Sequence, residues 1–171
     1  MYLAIDIGGT KTLLARMTAA GVIEESIKFP TPQDYEEFKV QLADNVAKVT
    51  TEPWAMVCSA VPGKIDRELG LGVAFGNLPW SNVPVRDDIK AITNCDVIIE
   101  NDVKLAGLSE ARALDKPYKK VCYITISTGI SDGIIIDGKI DVSLFFVCFF
   151  ARGTKSIPTV IIDGIDDLRS S

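Results

Sequence analysis

Apolar and polar positions alternate at the start of the chain in a way that predicts strands. A short apolar run from Tyr2 to Ile7 is followed by Gly8-Gly9 and by a second run from Thr12 to Met17, which is typical of a hairpin. Extended character resumes at Gly21-Val22-Ile23. The pattern therefore predicts three antiparallel strands at the beginning of the fold.

A helical period replaces the alternation after residues 30 to 34. Apolar side chains then recur at three- or four-residue spacing, at Tyr35, Phe38, Leu42, Val46 and Val49. This spacing predicts an amphipathic helix that starts within residues 30 to 34, and its apolar stripe indicates contact with a core.

The remaining elements alternate between helix and strand. The predicted order is a strand at Trp54 to Ser59, a helix at Val85 to Ile92, a strand at Asp96 to Glu100, a helix at Val103 to Leu114, and a strand pair at Tyr123 to Ser127 and Gly133 to Ile136. Three strands followed by helix, strand, helix, strand and helix predict an α/β fold. Its mixed sheet would carry the antiparallel meander at one edge and helices beside it.

Composition removes several classes of function. The 171 residues carry a net charge of −5, which argues against nucleic acid as a partner because phosphate backbones need clustered Lys and Arg. The chain has no histidine, which excludes a Ser-His-Asp triad and any histidine metal site. The four cysteines, Cys58, Cys95, Cys122 and Cys148, lie far apart, so we expect buried reduced thiols and no zinc.

The ends of the chain favour a cytoplasmic protein without a membrane partner. Met1 runs directly into the first predicted strand, with no signal-peptide pattern. The apolar stretch from Leu144 to Phe150 is far shorter than the ~20 residues of a membrane-spanning helix. We expect it to add one strand to the domain, or, if it is exposed, to drive assembly into a homo-oligomer.

Three short motifs have the chemistry of a phosphate or hydroxyl site. In the first, Asp6-Ile7-Gly8-Gly9-Thr10-Lys11-Thr12, a glycine pair between two strands lets backbone N–H groups approach a phosphate, and Thr10, Thr12 and Lys11 add hydroxyls and a positive charge. Asp6 is suited to hold Mg²⁺ through water. Taken alone, a Gly-Gly hairpin is usually only a turn.

The second motif, Glu100-Asn101-Asp102, lies where a strand meets a helix. Asp102 is interpreted either as a helix cap or as a general base that accepts the proton of a sugar hydroxyl, and the motif alone favours the cap. The third motif, residues 125 to 133, is a hairpin turn rich in hydroxyls and glycine, which suits a second phosphate clamp or an ordinary turn.

Together and in this order, the three motifs resemble the ROK family (repressors, open reading frames and kinases) within the actin-like ATPases of RNase H-like fold. The resemblance covers residues 1 to 140. Further matches are the segment 60 to 66 (Ala-Val-Pro-Gly-Lys-Ile-Asp), Asn77-Leu78-Pro79-Trp80 with Val83-Pro84-Val85 after it, and Asp137-Gly138-Lys139-Ile140.

The resemblance implies an ATP-dependent, glucokinase-like hexose kinase that uses Mg²⁺. It assigns Asp102 as the catalytic base and Gly63, Asn77, Asn101 and Asp102 to the sugar. The residues that would face the phosphates of Mg-ATP are Asp6, Gly8, Gly9, Thr10, Lys11, Thr128 and Gly129. Glucose is the first candidate substrate, with mannose and N-acetylated aminosugars as open alternatives.

The chain departs from the family in its later part. Ser131 and Asp132 stand in a turn that is usually richer in glycine, and Lys104 stands where a small or amide residue is common. After Ile140 the Glu-x-Gly-His segment, the zinc loop and the second kinase domain of the family have no counterpart. We therefore expect a kinase domain at 1 to 140, a divergent tail at 141 to 171 and weak activity.

Two alternative interpretations assign the chain to a different functional class. One is a non-catalytic, sugar-binding remnant of a kinase, which the missing second domain favours. The other is the transcriptional repressor branch of the family, which is disfavoured because those members carry a DNA-binding module ahead of the phosphate strand.

Overall fold

The computed structural model describes residues 1–49, 52–126, 129–142, 147–149 and 157–162. The chain divides into two compact units, Met1–Asp102 and Val103–Ser171. This division falls inside the segment 1 to 140, for which the sequence predicts one domain, and the predicted domain boundaries remain a prediction.

The first unit contains eight strands and two helices among its described residues. In chain order they are β1 (Tyr2–Ile7), β2 (Lys11–Met17), β3 (Ile23–Pro30), α1 (Tyr35–Val49), β4 (Met56–Val61), β5 (Lys64–Asp66), β6 (Leu71–Ala74), β7 (Ser81–Val83), α2 (Val85–Thr93) and β8 (Val97–Asn101). The second unit holds α3, which begins at the boundary (Asp102–Ala113), β9 (Lys120–Ile126), β10 (Gly129–Ile136), β11 (Lys139–Ile140), β12 (Val147–Phe149) and β13 (Ile157–Ile162).

The main sheet of the first unit has the strand order β3-β2-β1-β4-β8. The pairs β1–β2 and β2–β3 are antiparallel, whereas β1–β4 and β4–β8 are parallel. The predicted α/β class, with a mixed sheet and a three-strand meander at its edge, is confirmed. A smaller antiparallel sheet, β5-β6-β7, lies between β4 and α2 in the chain.

One core holds the first unit together. The alternate residues Leu3, Ile5 and Ile7 of β1 are at most 2% exposed, and they belong to the same buried cluster as Phe38 of α1 and Ile89 of α2. The three- and four-residue spacing in α1 therefore buries one helix face against the sheet, as predicted. Burial of such side chains stabilises a fold by about 1.5–3 kcal/mol each.

Several predicted boundaries are wrong by a few residues. Helix α1 begins only at Tyr35, because Pro30 ends β3 and Asp34 accepts a hydrogen bond from the Glu37 amide at 2.9 Å, as a capping residue does. Strand β4 begins at Met56 rather than Trp54. The small sheet β5-β6-β7 was not predicted, because its strands are three or four residues long and carry no clear alternation.

The expectation that the cysteines are buried is wrong for Cys58. Along β4 the side chains of Val57, Ser59 and Val61 are buried, so Cys58 points to the opposite face of the strand and is exposed. Cys122 is buried, and both are free thiols. Cys148 lies where the structure describes no side chain.

The second unit is described by itself. Its sheet has the order β11-β10-β9-β13, and β12 pairs with β10. Among its described residues, Val121, Cys122, Ile134 and Ile135 are buried and apolar. Of the apolar stretch Leu144 to Phe150, only Val147–Phe149 is described, as β12, so the predicted homo-oligomer stays a prediction. Among the described residues, no helix combines the length and apolarity required to cross a membrane.

Candidate functional site

The first predicted phosphate turn is the tight connection between β1 and β2. The amide of Gly8 donates to the carbonyl oxygen of Lys11 at 3.0 Å, which closes the turn. Thr10 and Lys11 are exposed at its tip. A hydroxyl and an ammonium group are thus presented to solvent beside a glycine pair, an arrangement suited to bind an anion.

Asp6 lies in β1 just before this turn, with an exposed side chain. Partial loss of hydrating water raises the pKa of its carboxyl, and the positive charge of Lys28 offsets part of that rise. Mg²⁺ prefers hard oxygen ligands and keeps several waters, so a single carboxylate at this position suits it. Within the described ranges, no group of three or more Asp, Glu or Cys side chains converges on a common point that would hold a metal directly.

Thr12 does not face a ligand, contrary to the prediction that its hydroxyl would serve as a phosphate donor. The side chain is 0% exposed, and its Oγ1 lies 2.8 Å from Oγ1 of Thr31. Thr31 donates its only hydroxyl hydrogen to the carbonyl oxygen of Gly8 at 2.8 Å, so Thr12 must be the donor in the Thr12–Thr31 pair. The amide of Thr31 also donates to the carbonyl oxygen of Thr10 at 3.0 Å.

The chain that leads to Thr31 therefore anchors the phosphate turn from behind. Two carbonyl groups of the turn, those of Gly8 and Thr10, are bonded to one residue. Because both carbonyls are engaged on the buried side, the turn holds one backbone conformation and its tip stays open.

The structure brings the phosphate turn and a predicted sugar residue together at Gly9 and Asn77. A Cβ atom added to Gly9 would lie 2.6 Å from the Cβ atom of Asn77, far inside van der Waals contact. Glycine at position 9 thus lets the turn pass directly against the segment that precedes Trp80. Trp80 itself is 5% exposed and donates from Nε1 to the carbonyl oxygen of Gln33 at 2.8 Å, which fixes that segment to the core.

A second pair of predicted sugar residues is joined by a hydrogen bond. Asn101 donates from Nδ2 to the carbonyl oxygen of Gly63 at 2.9 Å, and its side chain is 2% exposed. Gly63 has φ +83°, and an added Cβ atom would lie 2.2 Å from the carbonyl oxygen of Ala74. Only glycine fits this backbone, which ties the end of β8 to the loop between β4 and β5.

Asp102 follows Asn101 directly as the first residue of α3 and is partly buried. The residue on the other side of Asn101, Glu100, accepts a hydrogen bond from the Asn101 amide at 2.6 Å. Glu100 also accepts from Nε of Arg67 at 2.8 Å and from the Nη2 group of the same guanidinium. The backbone that leads into Asp102 is therefore held by side chains at two successive positions.

The second predicted phosphate turn is described only in part. Thr128 lies outside the described residues. The backbone of Gly129, in β10, pairs with that of Phe149 in β12. Ser131 and Asp132 lie within β10, opposite Thr125 and Ile124 of β9. Lys104, the residue that departs from the family, is 1% exposed and donates from Nζ to the carbonyl oxygen of Asp141 at 3.1 Å.

Two residues of this region were not predicted from the sequence. Thr31 stands between Pro30 and Pro32, which restrict the backbone on both sides, and this is the one signal that marks it as a fixed position. Arg67 lies in the charged run Asp66-Arg67-Glu68, which is typical of a solvated turn and gives no signal.

Comparison with known proteins identifies what this arrangement is similar to. Residues 2–142 match the model of the ROK family. The chain is 33% identical over 150 residues to the N-acetylgalactosamine kinase AgaK of Shewanella sp. strain ANA-3. This alignment covers 82% of this chain and 46% of that protein. The chain is also 28% identical over 167 residues to a glucokinase of Streptomyces coelicolor, and this alignment covers 96% of this chain and 52% of that one.

A solved structure supports the same likeness. The crystal structure of a ROK family glucokinase from Streptomyces griseus, in complex with glucose and AMPPNP, superposes with a TM-score of 0.74 at 27% identity. The match covers 86% of this chain and 48% of that one. The chain thus spans about half the length of the relatives it matches.

Proposed function

The chain belongs to the ROK family, and on that premise we propose that it carries the sugar- and phosphate-binding half of an ATP-dependent hexose kinase. The observation that carries the proposal is the contact of Gly9 with Asn77. It places a turn suited to phosphate against a segment whose amide side chain is suited to sugar hydroxyls. Phosphoryl transfer depends mainly on such positioning of donor and acceptor.

In the proposed reaction, Asp102 is the general base. Asn77 and Asn101 orient the sugar, with Gly63 shaping the pocket through its bond to Asn101. Asp102 accepts the proton of the reacting hydroxyl while the hydroxyl oxygen bonds to the γ-phosphorus of ATP. The bond from that phosphorus to the bridging oxygen breaks, and ADP leaves with the electron pair.

The turn between β1 and β2 would hold the phosphates. Gly8, Gly9, Thr10 and Lys11 line it, and Thr128 and Gly129 are proposed as the second clamp. Asp6 would hold Mg²⁺ through water, and the ion, when bound, neutralises phosphate charge. Because ATP is the proposed donor, we place the protein in the cytoplasm.

We propose weak activity for this chain on its own. Kinases that close two lobes over their substrates exclude water and hold adenosine with both, and this chain spans about half of its relatives. A second candidate is a non-catalytic protein that binds sugar without turnover. It is supported by Asp132 in β10, because a carboxylate close to the proposed second clamp would repel phosphate.

The test is ATP-dependent phosphorylation by the purified chain across glucose, mannose and the N-acetylated hexosamines, with sugar binding measured in parallel by calorimetry. Asp102→Asn removes the base, and Asp96→Asn, an exposed aspartate of the same unit, is the matched control. We expect one preferred sugar, very slow transfer that Asp102→Asn abolishes and Asp96→Asn leaves unchanged, and sugar binding retained in both.

Two outcomes separate the candidates. Sugar binding with no transfer under any condition would favour the non-catalytic protein. A turnover number in the ordinary enzyme range of about 1–10³ s⁻¹ would contradict the proposed weak activity. No binding of any sugar would overturn both.

A further inference from the structure

The loop between β5 and β6 brings Arg67 against Glu100, a residue of β8 that lies two positions before Asp102. Nε of Arg67 donates to Oε2 of Glu100 at 2.8 Å, and Nη2 donates to Oε1. This is a bidentate pairing, which fixes the orientation of the carboxylate as well as its position. The Glu100 side chain is 13% exposed, so solvent competes little for it.

Glu100 passes this orientation to the backbone. Its Oε1 atom accepts the amide hydrogen of Asn101 at 2.6 Å, and Asn101 in turn donates from Nδ2 to the carbonyl oxygen of Gly63. The main chain of Asn101 is thus held by Glu100, which Arg67 of the β5–β6 loop binds, and its side chain is held by Gly63 of the β4–β5 loop. A shift of the Glu100 carboxylate would move the peptide between Glu100 and Asn101, one residue before Asp102.

The loop that carries Arg67 is itself fixed. Arg86, near the start of α2, donates from Nη1 to the carbonyl oxygens of Arg67 and Glu68 at 3.2 and 3.1 Å, and from Nη2 to that of Leu69 at 3.1 Å. The Arg86 amide donates to the carbonyl oxygen of Gly70 at 3.1 Å. Four successive carbonyl groups are therefore bound by one residue, so Arg67 projects from a rigid base.

We infer that Arg67 is a positioning residue for the sugar site: through Glu100 it sets the backbone of Asn101 and Asp102 in the geometry that binds and deprotonates the sugar hydroxyl. The effect on sugar binding rests on the proposed function, whereas the effect on the backbone of Asn101 and Asp102 rests on the contacts alone. An exposed ion pair would affect sugar binding and backbone geometry little, because water screens it. This pair differs because its carboxylate also holds a main-chain amide.

The experiment compares Arg67→Met, which keeps the length of the side chain and removes its charge, with Arg67→Lys and with Lys90→Ala. Lys90 forms an exposed ion pair with Asp96 at 2.7 Å on the same unit, and Lys90→Ala therefore controls for loss of a surface pair. Two quantities are measured in each variant of the full chain: the amide resonances of Asn101 and Asp102 by NMR, and the affinity for the preferred sugar by calorimetry.

We expect Arg67→Met to shift both amide resonances and to weaken sugar binding about tenfold, which corresponds to 1.4 kcal/mol. Arg67→Lys should recover part of both effects, because lysine restores the charge but not the two-pronged geometry. Lys90→Ala should change neither. Unmoved Asn101 and Asp102 resonances in folded Arg67→Met would overturn the inference, as would an affinity equal to that of Lys90→Ala.

Failure of the proposed function gives a different result. A wild-type chain that binds no sugar overturns the kinase proposal, whereas the amide resonances still decide whether Arg67 sets this backbone. If Arg67→Met does not fold, Glu100→Gln takes its place, since it keeps the acceptor oxygen and loses the charge that Arg67 pairs with. Its Asn101 and Asp102 amides should also shift, and unchanged amides with unchanged affinity would overturn the inference.

Discussion

Asn101 reaches from the end of β8 to the carbonyl oxygen of Gly63, and this hydrogen bond of 2.9 Å joins two residues that lie 38 positions apart in the chain. Gly63 has a φ of +83°, a left-handed backbone conformation that glycine adopts without strain. A buried amide is therefore bonded to a left-handed glycine, next to the proposed base.

The first prediction concerns Gly63→Ala. The substitution combines a strained φ with a contact of 2.2 Å to the carbonyl oxygen of Ala74, so the loop must move. We expect a loss of at least about 2–3 kcal/mol in the free energy of unfolding, measured with denaturant. Gly21→Ala is the matched control: its φ is +81°, but no heavy atom lies within 4 Å of the added Cβ, and it should cost only about 1–2 kcal/mol. Equal losses of unfolding free energy in Gly63→Ala and Gly21→Ala would show that the loop around Gly63 adapts to the added methyl group.

The second prediction concerns Thr31→Val, which preserves shape and removes the hydroxyl. The carbonyl oxygen of Gly8 loses a donor, and the hydroxyl of Thr12 loses its acceptor, in a buried setting. We expect a loss of about 1–3 kcal/mol in the free energy of unfolding, together with weaker binding of Mg-ATP as the turn loosens. Thr18→Val removes an exposed hydroxyl that accepts from the Val22 amide at 3.2 Å and should change neither quantity by as much. An effect on Mg-ATP no larger than that of Thr18→Val would contradict the anchoring role.

The third prediction concerns Gly9→Ala. The added methyl group collides with Cβ of Asn77, so a change in the phosphate turn should weaken sugar binding as well as nucleotide binding. In the Gly9→Ala background, Asn77→Gly removes the atom that is struck. We expect the double variant to be more stable than Gly9→Ala alone, which denaturant unfolding will measure, while sugar binding stays weak because the Asn77 amide is gone. Strictly additive effects of the two substitutions would show that the residues do not touch.

The fourth prediction follows from Asp6. Partial loss of hydrating water raises the pKa of this carboxyl above its ordinary value of 3.8, so the folded chain holds the proton more tightly than the unfolded chain does. As pH rises from 3.8 to the raised pKa, the unfolded state loses its proton first and stability falls; at neutral pH the full penalty is present. Asp6→Asn should therefore raise the melting temperature at pH 7, leave it nearly unchanged at pH 3, and weaken Mg²⁺-dependent ATP binding.

Asp44→Asn, an exposed aspartate of α1, is the control for that measurement. It should show neither the pH-dependent gain nor the loss of ATP binding. A stabilisation by Asp6→Asn that is equally large at pH 3 would contradict the assignment to a raised carboxyl pKa.

The order of the main-sheet strands and the helices, and the buried face of α1, followed from the sequence, because these features depend on neighbouring residues. The spacing of Phe38, Leu42 and Val46 set the buried face of α1, and the glycine pair at 8 and 9 set the hairpin. The same local chemistry indicated which residue types suit phosphate and sugar hydroxyls. Whether the residues of the predicted phosphate and sugar sites lie close together depends on the tertiary structure, because the spacing of apolar residues along the chain predicts only secondary structure.

Tertiary structure alone decided the rest. It placed Thr12 in the interior with Thr31, where its hydroxyl binds protein instead of ligand, because the β2 alternation turns that residue toward the core. It also paired Arg67 with Glu100, 33 positions away, although the charged run around Arg67 is typical of a solvated turn. Side-chain type and spacing determined the chemistry that this chain offers, while the packing of strands distant in sequence determined which of these groups are exposed and which bind other parts of the protein.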